Sequence, residues 1–93
     1  MSDTQLNDKI RAIFVETAQA HHQAFIETDG ADPDWPIWYA QHMHDQLTSL
    51  LGANFTRSEL VYLIVWAEKE RGLKAPGADW VSYYTHFLLD RYL

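Results

Sequence analysis

Thr56-Arg57-Ser58-Glu59-Leu60-Val61-Tyr62-Leu63-Ile64-Val65-Trp66-Ala67-Glu68-Lys69-Glu70-Arg71-Gly72 is the stretch that decides the fold. From Leu60 to Ala67 every position is apolar or aromatic, and charge gathers only at the two ends. Wound as a helix, those eight side chains point in every direction, and a helix apolar all round must be covered by a core or by an interface. Thr56 and Glu59 have the spacing of a capping box, with Phe55 and Leu60 placed for a hydrophobic staple. Gly72 is the predicted left-handed stop. Within this helix Tyr62 and Trp66 fall on the side opposite Leu60 and Ile64, so one set of side chains needs cover from elsewhere.

The rest of the chain is read as that cover. It has 93 residues, enough for one helical domain over 1–93 but near the lower limit for a self-sufficient core. Apolar residues make up 47%, which excludes a disordered chain. Four Trp, five Tyr and four Phe are more rings than a small bundle easily hides, so some are expected at a pocket or a subunit interface. The net charge of −6, with no run of Lys or Arg, argues against nucleic acid and anionic membrane as partners. The chain has no cysteine, hence no disulfide or thiolate chemistry. The start, Met1-Ser2-Asp3-Thr4-Gln5, lacks the features of a signal peptide, and a cytoplasmic location is expected.

Four helices are predicted, at about 4–28, 35–51, 57–71 and 80–93. The first carries a stripe of Leu6, Ile10, Ile13, Phe14 and Phe25 at helical spacing, with Thr17 and His21 inside it. Gly30-Ala31-Asp32-Pro33-Asp34-Trp35-Pro36 is a dense turn in which Asp32 or Asp34 can cap the next helix and a proline fits its first turn. Its three aspartates lack the order of a calcium loop. The second helix has Trp35, Trp38, Tyr39, Met43, Leu47 and Leu50 on its stripe, His42 and Gln46 within it, and His44 facing away. Asp79 is the expected cap of the fourth. Short connections and the absence of period-two patterning give an all-α, up-down-up-down four-helix bundle.

Polar residues on buried stripes call for an account. Folding the first two helices back about the Gly30 turn places His21 and His42 at similar depth, roughly 10 Å from the turn. Thr17 then lies level with Gln46, and Trp66 and Tyr84 come near the histidines. Three uses of such a layer are open. It can be a satisfied polar core pair. It can line a small-ligand cavity with His21, His42, Trp66, Tyr84, Trp38 and Tyr39 as walls. It can hold a metal, with His21 and His42 as ligands, although the inward Glu-x-x-His pattern of two-iron bundles is missing. Two imidazoles facing each other in an apolar layer would resist being charged together. The sequence names no cofactor. No phosphate loop, nucleophile elbow or H-E-x-x-H motif is present, and Glu16 and Glu27 read as solvated carboxylates.

Asp32-Pro33-Asp34-Trp35-Pro36-Ile37-Trp38-Tyr39-Ala40, followed by Thr56-Arg57-Ser58-Glu59-Leu60, resembles small helical bacterial proteins of no assigned function. The resemblance spans about a third of the chain and implies no activity. Trp35, Trp38 and Tyr39 beside a proline-fixed turn suggest either a shared binding feature or the packing knot that closes the hairpin, and the knot is the reading preferred. We read the chain as a non-enzymatic helical interaction module that forms a homodimer or binds a partner protein. The runner-up is a small-ligand or weakly metal-dependent module built on His21 and His42. A symmetric dimer through helices is expected, burying above about 1,000 Å².

Overall fold

A computed structural model describes residues 2–92 and holds four helices: α1 (Asp3–Ala24), α2 (Trp35–Leu51), α3 (Arg57–Lys74) and α4 (Trp80–Tyr92). α2 packs most extensively, against α1 and α3, and α4 closes the bundle equally against α3 and α1. The all-α fold is as expected, and this closed order is compatible with an up-down-up-down bundle. The predicted end of α4 at Leu93 falls outside the described residues. No helix of the described chain is long and apolar enough to cross a membrane.

Helix ends follow from local chemistry. Ser2 and Gln5 form a capping box at the start of α1, each side chain bonding the other's backbone amide at 3.2 Å. The predicted end of α1 at residue 28 is too late. The helix stops at Ala24, and Ile26–Thr28 continue as a tight 3-10 turn. The Thr28 hydroxyl lies within hydrogen-bonding distance of the Phe25 and Ala31 carbonyls, which serves this turn better than a further α-helical one. Asp29 and Gly30 then take left-handed conformations, and a Cβ at Gly30 would sit 2.8 Å from His22 Nδ1. Only glycine fits there.

α2 has its predicted bounds, with Pro36 in the first turn and Gly52 left-handed at φ 63° as its stop. Asp34 makes no side-chain cap. Instead Asp32 Oδ1 accepts from the Asp34 amide at 3.0 Å and fixes the turn. The capping box of α3 forms in both directions at 3.0 Å, a contact worth about 0.5–2 kcal/mol. Phe55 and Leu60 on either side of it are both buried.

Gly72 does not end α3, which runs on to Lys74. The stop is Ala75 before Pro76, because the proline ring pushes the preceding residue out of helical conformation. The Arg71 guanidinium reaches over this end and donates to the Pro76 and Ala78 carbonyls at 3.2 and 3.3 Å. Asp79 caps α4 as expected, accepting from the Ser82 amide at 3.0 Å.

Ile10, Phe14, Met43, Leu47 and Leu60 are fully buried and form the centre of the core. Thr17 and Thr85 are buried with them, and each hydroxyl donates to its own helix four residues back, to Ile13 and Val81 carbonyls at 2.7 Å. Among the described residues no buried side-chain nitrogen or oxygen lacks a partner.

Candidate functional site

Two places break the ordinary rule of apolar inside and polar outside. The first is the α1–α2 corner. His21 comes from the last turn of α1 and is 5% exposed. Its Nε2 lies 3.0 Å from Asp32 Oδ2, and both side chains are nearly inaccessible. Phe25, Trp38 and Tyr39 wall the imidazole in, with ring centroids 4.8, 5.1 and 5.2 Å away. Asp32 therefore does two things at once: one oxygen holds the turn and the other holds the histidine. The packing knot expected around Trp35, Trp38 and Tyr39 is formed, with Tyr39 edge-on to Trp35 and to Trp80 of α4. Burial pushes the Tyr39 hydroxyl's pKa above its ordinary value.

His42 does not face His21. It lies at the helix edge, half-buried, with Nε2 2.8 and 3.0 Å from the two oxygens of Glu16 on α1. Its ring stacks on Trp38 at 5.0 Å and 12°. Trp38 thus stands between two separate histidine–carboxylate pairs, and the predicted layer of facing imidazoles is not formed. Gln46 is exposed and bonds only back to the His42 carbonyl, so it does not meet Thr17. Glu16 is exposed as expected, yet it is a histidine partner.

Of the other predicted layer members, Trp66 is absent from this corner and lies on the outer side of α3, 45% exposed. Tyr84 is buried among Phe14 and Trp80, and its hydroxyl donates to Glu68. Burial and the Glu68 carboxylate together push that phenol's pKa up. Glu68 is held below its usual carboxylate range, first by its hydrogen bonds from Arg71 and then by Tyr84. Glu68, Arg71 and Tyr84 accordingly join α3, α4 and the loop between them into one strap.

His44 was expected to face away and instead ties α2 to the loop before α3. Its Nε2 lies 2.7 Å from the Phe55 carbonyl and its Nδ1 2.9 Å from Asp45. Asp45 in turn is held below the ordinary carboxylate pKa by His44 and then by Arg57, which bonds it at 3.2 Å.

Chemically these clusters are closed. Among the described residues no three His, Asp or Glu side chains converge as metal ligands. Neither Ser49, Ser58 nor Ser82 is hydrogen-bonded to a histidine; Ser82 is engaged by Asp79 and Arg11. A depression of about 540 Å³ lies far from the corner, between the end of α3 and α4, where Glu70, Lys74, Asp90 and Arg91 surround Tyr83 and Phe87. A second, of about 340 Å³, runs between α2 and α3 over Ile37, Ala40 and Val61.

The second exception is the outward face of α3. Leu60, Leu63, Ile64 and Ala67 are buried, as the all-round apolar pattern requires of one side. On the other side Tyr62 is 62% exposed, and Val65 and Trp66 are more than two-fifths exposed. The Tyr62 and Trp66 rings lie parallel, 6.4 Å apart at 9°, as a flat apolar slab. Ile37 on α2 is also exposed and lines the groove over Val61 between α2 and α3. The sequence pattern places these two rings opposite the core side of α3, as the structure has them. No protein-family model, curated protein or solved structure matches this chain.

Proposed function

We propose that this protein is a cytoplasmic, non-enzymatic helical interaction module whose working surface is the outward face of α3, and that a second copy of the same chain is its partner. The Tyr62–Trp66 slab carries this reading. Two large rings held parallel and open to water retain a strong drive toward burial, of about 25 cal/mol for each Å² of apolar surface covered. Tyr and Trp at the centre of a patch are also the residue types that dominate measured interface energies.

The alternative, a ligand or metal module on His21 and His42, has less behind it. Both rings are already engaged by Asp32 and Glu16 and packed on Trp38. Sedimentation equilibrium tests the proposal. The wild type is expected to show a concentration-dependent shift from monomer to dimer, and Trp66→Ala is expected to stay monomeric over the same range. A wild type that sediments as a monomer at the highest attainable concentration overturns self-association. A dimer that Trp66→Ala leaves intact moves the interface off α3.

A further inference from the structure

We infer that the two copies meet through α3 in antiparallel order, with Glu59 of each copy against the partner's Lys69 and Tyr62 of each against the partner's Trp66. This rests on the self-association reading and adds its orientation, its register and the residues that set both.

Glu59, Tyr62, Trp66, Lys69 and Leu73 are all exposed and recur at spacings of three, four, three and four residues. That alternation is the seam by which one helix packs along another at a shallow angle. The part from Glu59 to Lys69 runs about 15 Å, the rise over its ten steps. Its centre is the aromatic slab, with an acidic residue on one side and a basic one on the other. Reversal of direction about a two-fold axis between Tyr62 and Trp66 exchanges the two halves. Both ends of the seam then carry a carboxylate facing an ammonium, and the centre carries four rings in one layer. Parallel packing in register gives the opposite result: Glu59 meets Glu59 and Lys69 meets Lys69, like charges that disfavour a wrong partner strongly.

Both end residues are available for these contacts. Lys69 makes no ion pair among the described residues, in contrast with Lys74, which pairs with Glu70, and Arg71, which pairs with Glu68. Glu59 accepts from the Thr56 amide through Oε1 and is exposed, with Oε2 engaged by no described residue. The protein carries a net charge of −6, so two copies repel at a distance, and matched charges at the seam ends are what select one orientation among the apolar ones.

Charge reversal followed by analytical ultracentrifugation tests the arrangement. Lys69→Glu places two carboxylates together at each end of the antiparallel seam and is expected to weaken dimerisation by about tenfold or more. Glu59→Lys combined with Lys69→Glu restores both pairs with their signs exchanged, and its dimer constant is expected to return to within about threefold of wild type. Glu59→Lys costs the α3 capping box, so recovery in the double variant would come despite a less stable helix start. Circular dichroism confirms that each variant is helical before its mass is read. A wild-type dimer that Lys69→Glu leaves unchanged overturns the register while self-association stands. A dimer weakened by Lys69→Glu and not restored by the double variant overturns the Glu59–Lys69 pairing. A monomeric wild type overturns both the arrangement and the reading beneath it.

Discussion

At the α1–α2 corner a polar ring is buried, and on the outward side of α3 two apolar rings are exposed. Both depart from the usual sorting of residues, but they differ in how far this chain alone completes them. His21 has Asp32 at 3.0 Å and three aromatic neighbours, all supplied within the same chain. Tyr62 and Trp66 lie against each other and are covered by this chain only in part. A buried polar group left bare costs the monomer about 1–3 kcal/mol of stability, so its partner must come with the fold. An exposed ring carries no such demand, and its cover can come later from another molecule. The corner is therefore a device of the fold, and the α3 face is where function is proposed.

That contrast can be broken by experiment, beginning with the two sides of α3 themselves. Leu60→Ala removes a fully buried side chain and should lower folding stability by about 2–5 kcal/mol in chemical denaturation. Trp66→Ala, two turns further along the same helix, should change the monomer's stability by no more than about 0.5 kcal/mol. Its effect should fall on association instead, weakening the dimer by about 2 kcal/mol or more, roughly 30-fold in the dissociation constant. If Trp66→Ala unfolds the monomer as Leu60→Ala does, the two faces are alike and the contrast fails.

At the corner, Asp32→Ala strands a buried imidazole and should cost about 1–3 kcal/mol of folding stability. Asp32→Asn keeps an acceptor in place and should cost less. Equal stability for wild type and Asp32→Ala would show that the corner is open to water. The smallest expected effect concerns the Glu68 strap. Arg71 and Tyr84 hold this carboxyl below its usual pKa, so the folded chain binds that proton less readily than the unfolded one. Its contribution is complete above the unfolded value of about 4.3 and is lost as pH falls through the lower folded value. Glu68→Gln should lower stability modestly at neutral pH and flatten the acid limb below about pH 4, where the two proteins converge. An unaltered acid limb would detach Glu68 from the strap.

How much of this was legible in the sequence depends on whether the signal was local. The bounds of α2, the Thr56–Glu59 box and the Asp79 cap were readable because each is written within four residues. The end of α3 misled because a glycine can sit inside a helix as well as stop one, and Pro76 was the stronger signal. The histidine layer misled for another reason. Counting residues from a turn gives depth along the bundle but not rotation about each helix axis. Trp66 faces outward from α3, and His42 is turned far enough toward α1 to find Glu16. The Glu16–His42 and His44–Phe55 contacts join residues 26 and 11 positions apart, with no spacing rule to announce them.

Gly72 holds one last consequence, in engineering terms. It lies within α3 with an ordinary helical backbone, and a Cβ built there meets nothing within 4 Å. A helix that carries glycine where alanine fits forgoes about 1 kcal/mol, which in a domain of this length amounts to roughly 4–8 °C of melting temperature. Gly72→Ala is thus a ready route to a hardier version of the chain, available near the proposed interface without altering Tyr62, Trp66 or the charges that flank them.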